Sequence, residues 1–257
     1  MGLFAGWSLE GAKTAENRIP LSSHPLSIHK TAGYLDQRQI RRRHVESATQ
    51  ATAKRLAEHA PRTWQRMLSG RRLNLLEPSP LDIEIEDIAL GLSRNTRWNG
   101  QTNGEHGWSV AQHSDLVVDI VRYLEPRSGA DVLMAAKLHD ASEYVTHDLI
   151  TPLKAVVGDV FKEVEARLLQ AIRIRFGLSA QPAPEVGKLI KRADKIAAAT
   201  EAVQLAGFSA EEARTVLGFR EKPLKDVKLT PLPVAEAERR FLGGFRALEN
   251  AMILQKR

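Results

Sequence analysis

The stretch WSVAQHSDLVVDIVRYL, residues 108–124, has its apolar side chains three and four positions apart, which is the spacing of one face of an α-helix. The alternation that marks a half-buried strand is scarce, and residues 72–80 read only as a short extended or turn segment. The sequence therefore predicts an all-α fold. Further one-faced helical patterns occur over residues 85–92, 130–144, 157–176, 184–205 and 234–255.

Charge divides the 257 residues into a basic N-terminal extension, residues 1–70, and a helical body, residues 71–257. The extension holds 11 of the 37 Lys and Arg residues but 5 of the 31 Asp and Glu residues, so the whole net charge of +6 lies there. Residues 1–34 lack periodicity and are expected to be poorly ordered. Residues 36–60 favour a solvated helix or a flexible arm, and the alternative for their cluster of arginines is a weak contact with nucleic acid.

Cysteine is absent, which excludes a disulfide scaffold, thiol catalysis and zinc held by cysteines. A chain without cysteine suits a reducing compartment, so a cytoplasmic location is expected. No apolar run approaches the roughly 18 residues of a membrane span, and the N-terminus lacks the apolar region of a secretory signal. We therefore expect no contact with a membrane.

Polar side chains interrupt the apolar faces of three predicted helices. His113, the pair His139 and Asp140, and Asp194 each follow apolar residues at helical spacing and are expected to point inward. A buried carboxylate without a partner costs several kcal/mol, but two imidazoles and two carboxylates can neutralise one another around a divalent cation. Taken singly, each residue has a simpler explanation, either a hydrogen-bonded core histidine or an aspartate paired with Lys191 or Arg192.

The H…HD…D order of these four residues resembles the HD-domain superfamily of metal-dependent phosphohydrolases. The segments VAQHS (110–114), LHDASEYVTHDLITPLK (138–154) and KRADKIAAATEAV (191–203) are similar to the YfbR-like 5′-deoxynucleotidases and related deoxynucleotide triphosphohydrolases. Residues 73–102 resemble the YfdR-type proteins of that branch. The resemblance covers about residues 73–205 and implies an HD-domain helical bundle. It also implies one divalent metal, drawn from Mn, Co, Fe, Ni, Zn or Mg, on His113, His139, Asp140 and Asp194.

The resemblance also implies two catalytic carboxylates. Glu143 lies four residues after His139, so helical spacing puts it on the metal face, where it would hold or deprotonate a water molecule. Asp148 matches the position of an aspartate that serves proton transfer. The alternatives are a solvated helix residue for Glu143 and a helix cap for Asp148.

Four further residues are expected to bind substrate. Lys154 and Lys191 resemble phosphate-binding lysines, although each could be an ordinary surface lysine. Arg97 and Trp98 resemble an Arg-Trp pair whose ring packs against the sugar and selects 2′-deoxy substrates; the alternatives are a tryptophan that fills the core, and Arg94 in place of Arg97. His147 stands where the resemblance has a small residue, so it would touch substrate or add a ligand.

The function expected from these residues is hydrolysis of a 2′-deoxynucleotide, either a 5′-monophosphate or a triphosphate, by attack of water on phosphorus. One alternative is an HD hydrolase of a cyclic or alarmone nucleotide. Another is a non-catalytic nucleotide sensor whose N-terminal arm contacts nucleic acid. By analogy with the same enzymes, a homodimer is expected.

Overall fold

A short antiparallel hairpin opens the part of the chain that the computed structural model describes, residues 62–255. Its strands are β1 (Trp64–Arg66) and β2 (Arg72–Asn74). Ser69, in the connecting turn, donates its backbone N–H and its hydroxyl to the buried carboxylate of Asp87, at 3.0 and 2.5 Å. Ser69, which the sequence assigns to the extension, therefore contacts a buried residue of the helical body. The predicted disorder and nucleic-acid contact of the extension concern residues outside the described part.

Helices dominate residues 62–255 and confirm the predicted all-α fold. Two of the α-helices, α5 and α8, are not expected from the sequence, and two 3₁₀ turns cover Pro80–Asp82 and Arg97–Gly100. None of the described helices has the length and apolar character needed to cross a membrane. The α-helices are α1 (Ile85–Arg94), α2 (Val110–Leu124), α3 (Ala130–Lys137), α4 (Glu143–Thr146), α5 (Thr151–Val157), α6 (Asp159–Arg175), α7 (Pro184–Gln204), α8 (Ala210–Thr215) and α9 (Val234–Gln255).

Helix α2 lies at the centre of the bundle and packs against α1, α3, α7 and α9. It begins at Val110 because the Ser109 hydroxyl accepts the backbone N–H of Gln112, which satisfies one of the free donors of the first turn. Val117 and Val121 are fully buried on its apolar face. Each such side chain stabilises the fold by about 1.5–3 kcal/mol, so α2 is fixed in rotation and its polar residues have defined directions.

Helix α3 ends at Lys137, seven residues earlier than the sequence predicts, and the chain continues through turns to α4. The Lys137 side chain is buried, where its ammonium pairs with Asp115 of α2 and lies 4.1 Å from the centre of the Phe241 ring. A Cβ at Gly244 would lie 3.1 Å from that ammonium nitrogen. Gly244 therefore makes room for Lys137, and α9 runs unbroken through this glycine and its neighbour Gly243.

Candidate metal centre

Three of the predicted ligands meet at one point. His113 comes from α2, and His139 with Asp140 comes from the turns that follow α3. The Nε2 atoms of His113 and His139 lie 3.5 and 3.2 Å from Oδ2 of Asp140. One ligand atom from each of the three residues lies within 4.8 Å of the others, so the group could hold a metal ion.

The hydrogen bonds of the two imidazoles turn the same ring atom toward the cluster. Nδ1 of His113 lies 2.6 Å from the Glu201 carboxylate, and Nδ1 of His139 lies 2.8 Å from the carbonyl oxygen of Ala136. Because these partners only accept, each Nδ1 carries a proton, which leaves Nε2 as the ring atom that can bind a metal when the imidazole is neutral. Both Nε2 atoms are buried and have no hydrogen-bond partner within residues 62–255. Two such atoms beside a carboxylate fit a metal ion.

Asp194, the fourth predicted ligand, reaches the same cluster from α7. Its Oδ1 atom lies 3.5 Å from Nε2 of His113. Its Oδ2 atom accepts a hydrogen bond of 2.7 Å from Lys191, three residues earlier on the helix. Asp194 therefore has one oxygen directed at the cluster, and Lys191, expected to bind phosphate, contacts this aspartate.

The charged groups of the cluster shift the pKa values of His113, Asp140 and Asp194. Burial opposes ionisation of Asp140 and Asp194, but the neighbouring histidines hold the pKa of both carboxyls well below their usual range. Burial and Arg97 disfavour a charged His113, yet Glu201 and Asp194 raise its pKa to about 9. The surroundings of His113 thus favour a positive charge at this point, as a metal site requires.

Glu201 is the residue of the site that the sequence reasoning missed. It lies on α7, fully buried, and both carboxylate oxygens accept hydrogen bonds. Oε2 accepts from Arg97 Nε at 2.8 Å and from Trp98 Nε1 at 3.1 Å. Oε1 accepts from Trp108 Nε1 at 2.9 Å and from His113. One carboxylate therefore orients a predicted metal ligand and both members of the predicted Arg-Trp pair.

The Nη1 end of the Arg97 guanidinium faces two aspartates of the site. The guanidinium is buried, and its Nη1 atom lies 3.8 Å from Asp140 and 3.7 Å from Asp148. Glu201 and these two aspartates together raise its pKa above the ordinary arginine value despite burial. Arg94, the alternative from the sequence, is exposed at the end of α1. The structure therefore places Arg97, and not Arg94, beside the cluster.

Trp98 holds an unusual backbone conformation next to Arg97. Its φ is 58°, and the following Asn99 has a φ of 50°, in the left-handed region that side chains with a Cβ rarely adopt. Such strain costs about 1–3 kcal/mol and is kept where the surroundings fix the residue. The hydrogen bond from the indole to Glu201 supplies that constraint, and it holds the ring at the cavity described next.

A cavity of about 830 Å³ opens beside the cluster, within the size range of small-molecule sites. Asp140, Asp194 and all of the predicted catalytic and substrate-binding residues line it. They are Glu143, Asp148, Arg97, Trp98, Lys154 and Lys191. His147 is exposed, does not belong to that lining and has a φ of 62°. The structure thus brings the predicted site residues together and leaves His147 outside.

Among the carboxyl groups that line this cavity, Glu143 is the one whose pKa is raised, which favours its neutral form. Burial, together with repulsion from Asp140 and Asp148, raises its pKa to about 9. Its Oε1 atom lies 3.4 Å from the ammonium of Lys154, which also lies 3.7 Å from Glu165. Its Oε2 atom is buried without a hydrogen-bond partner in the described part of the chain. Glu143 therefore has one oxygen free to meet a water molecule or ligand.

The fold and the site together define a helical protein with a candidate His-His-Asp metal centre in a polar cavity. The chain is 49% identical to the uncharacterized protein RCAP_rcc00048 of Rhodobacter capsulatus over 180 residues, which are 68% of this chain and 91% of that protein. The chain belongs to the family of that protein. It is also 37% identical over 120 residues to the uncharacterized protein YfdR of Escherichia coli, covering 47% of this chain and 60% of YfdR. No protein-family model matches the chain.

Proposed function

We propose that the protein is a metal-dependent phosphohydrolase of the HD-domain type that acts on 2′-deoxynucleotides. The observation that supports this most is the pair of buried Nε2 atoms, on His113 and His139, without a hydrogen-bond partner in the described residues and beside Asp140. Glu143 lines the cavity beside Asp140, and its Oε2 atom has no hydrogen-bond partner within residues 62–255. Metal ligands and a carboxylate that can accept a proton from water are the parts that such hydrolysis needs.

His113, His139 and Asp140 would hold the metal, with Asp194 as the fourth ligand. Two imidazole nitrogens with carboxylate oxygens suit Mn, Fe, Co, Ni or Zn, while Mg remains among the metals that the resemblance allows. When bound, such an ion supplies Lewis acidity to water and to phosphoryl oxygens. Glu201 would fix the ring of His113 through its 2.6 Å contact with Nδ1, as partners of ligand histidines do in other metal sites.

The side chains of the cavity provide the remaining chemistry. In its ionised form Glu143 would take a proton from the attacking water, and its raised pKa makes that carboxylate a stronger base than an ordinary glutamate. Asp148 would orient the water or return a proton to the leaving oxygen. Arg97 and Lys154 present their cations to the cavity and would stabilise the negative charge of the phosphoryl oxygens. Lys191 would contribute from the rim, near Asp194.

Trp98 would contact the sugar. Its ring lines the cavity next to Arg97, and Glu201 fixes its indole N–H, so the ring presents a constant face to a ligand. A rigid ring packed against the C2′ side of the ribose would leave little space for a 2′-hydroxyl. This is the basis for proposing deoxynucleotides as the substrate class.

The test is an assay of the full chain with Mn or Co on a panel of deoxynucleoside monophosphates and triphosphates, ribonucleotides, cyclic nucleotides and alarmones. We expect turnover of deoxynucleotides, with release of inorganic phosphate from monophosphates or of triphosphate from triphosphates. The released product decides between these two substrate classes. Turnover of cyclic or alarmone nucleotides alone would contradict the deoxynucleotide assignment, and binding without any turnover would favour the sensor.

The absence of cysteine remains the basis for proposing a cytoplasmic location. The weak nucleic-acid contact proposed for residues 36–60 is tested separately, by measuring how DNA binding depends on salt with and without residues 1–61. Loss of DNA binding with unchanged turnover would make these residues an accessory to the hydrolase.

A further inference from the structure

Three aromatic side chains form one part of the cavity lining, and two of them have no role in the chemistry above. Trp98 and Phe208 lie with their ring centres 6.0 Å apart and their planes tilted by 46°. Phe219 lines the same cavity. Phe208 and Phe219 stand at the two ends of helix α8, just before and after it, and both are partly exposed.

This aromatic wall is fixed to the helix that carries Asp194. Arg192 of α7 lies 3.4 Å from Glu221, two residues after Phe219. Farther along, the hydroxyl of Thr200 accepts the backbone N–H of Leu224 at 2.9 Å. The wall is therefore held in place without a ligand, as most small-molecule sites are.

The backbones of both phenylalanines are tied to helices as well. The N–H of Phe208 donates to the Ala202 carbonyl at 3.0 Å, and the N–H of Phe219 donates to the Ala213 carbonyl at 3.1 Å. Two aromatic rings on fixed backbones, left partly open to a cavity, are surfaces on which a planar group can stack.

The lining of the cavity changes from charged to aromatic side chains, and the contacts between lining residues show the order in which they follow one another. Asp140 lies beside Arg97 Nη1, Arg97 and Trp98 share the Glu201 carboxylate, and Trp98 lies against Phe208. A ligand that follows this order meets the acids first, then the indole and then the phenylalanine. Because the guanidinium of Arg97 and a metal on Asp140 would attract negative charge, such a ligand has an anionic group at one end and a planar apolar group at the other.

We propose that Phe208 and Phe219 form the nucleobase subsite of this cavity and hold the base by stacking. The inference rests on the proposed function, because it takes the phosphoryl group to lie at the Asp140 end. It assigns substrate contacts to residues 208–219, which lie outside the segment that resembles the deoxynucleotidases. Stacking on an aromatic side chain is worth about 1–3 kcal/mol per base, roughly a 5- to 150-fold change in affinity.

The experiment compares two ligands that differ only in the base, dAMP and 2-deoxyribose 5-phosphate. Dissociation constants are measured by calorimetry on the full chain with bound Mn, in a Glu143→Gln background that prevents turnover. We expect Phe219→Leu to weaken dAMP binding about 5- to 100-fold and to leave 2-deoxyribose 5-phosphate unchanged. Phe208→Leu acts in the same direction, and Phe219→Tyr, which keeps the ring, restores dAMP binding.

Tyr123→Leu is the matched control, because Tyr123 is an exposed aromatic residue of α2 outside the cavity. Melting temperatures of all variants check that the fold is kept. Equal losses for both ligands, or no loss for either, would overturn the nucleobase subsite while leaving the hydrolase standing. If the parent protein neither binds nor hydrolyses any deoxynucleotide, the proposed function fails, and the subsite fails with it.

Discussion

Replacing Glu143 with glutamine is expected to lower kcat roughly 10²- to 10⁴-fold, the usual contribution of a general base. Glutamine keeps the shape of the side chain but cannot take a proton from water. Because burial and the neighbouring aspartates raise the pKa of Glu143 to about 9, the carboxyl of the metal-free protein is largely neutral at pH 7. The neutral amide should therefore leave the melting temperature and the affinity for Mn close to those of the parent.

Glu165→Gln is the matched control for this substitution. Glu165 lies 3.7 Å from the same Lys154 ammonium that contacts Glu143, but it does not line the cavity. Steady-state kinetics, melting curves and metal titrations on both variants separate a chemical role from a structural one. Similar kcat values for Glu143→Gln and the parent would remove Glu143 from the mechanism.

Glu201→Gln is expected to lower both the stability of the fold and the affinity for metal, because the carboxylate supports both. The carboxylate accepts from His113, Arg97, Trp98 and Trp108, and it is fully buried. An amide has one acceptor oxygen, so its NH₂ group would face donors, and the buried Arg97 would lose its closest counter-ion. Breaking a buried ion pair costs about 3–5 kcal/mol, and losing the partner of a ligand histidine lowers metal affinity about 10- to 100-fold.

The measurements are the free energy of unfolding from denaturant titration and the dissociation constant for Mn. Glu185→Gln is the control, since Glu185 lies on the same helix α7 but is exposed and pairs with Lys188 on the surface. Its effect on stability should stay within about 0.5 kcal/mol. A Glu201→Gln protein as stable as this control, with parental Mn affinity, would show that Glu201 does not support the site.

The positions of the metal ligands could be predicted because helical spacing fixes the direction in which each side chain points from its helix. Val110 and Val117, three residues before and four after His113, show which way α2 faces, and His113 points into the bundle as expected. The same argument puts His139 on a continuous helix, which the structure does not contain. Helix α3 ends at Lys137, where a buried ion pair with Asp115 on α2 replaces the expected apolar contact. The end of α3 therefore depends on tertiary packing and could not be predicted from the local sequence.

Glu201 shows which part of a site escapes this reasoning. It lies seven residues after Asp194, so both fall on one face of α7, and it stands in a run of alanines and threonine where an acid is out of place. That signal was present in the sequence. The hydrogen-bond partners of Glu201 could not be predicted, because Arg97 and Trp108 lie about a hundred residues away and only the fold brings them to one carboxylate.

Lys191 and Phe219 show that contacts with substrate are equally hard to predict from the sequence. Nothing in the spacing of Lys191 distinguishes a phosphate contact from the 2.7 Å bond that it donates to Asp194. Phe219 follows α8, a helix that the sequence did not predict, and it reaches the cavity because residues 221–229 pack back onto α7. Directions along one helix are predictable, whereas contacts made by loops depend on the whole fold.

The central claim is that His113, His139 and Asp140 bind a metal ion, and calorimetric titration of the chelator-stripped full chain with Mn tests it most directly. The account predicts one saturable site that is lost in His139→Ala. It also predicts that His106→Ala, which changes a histidine outside the cluster, keeps that site. A stripped protein that binds no metal, or a His139→Ala protein that binds Mn as tightly as the parent, would contradict the account.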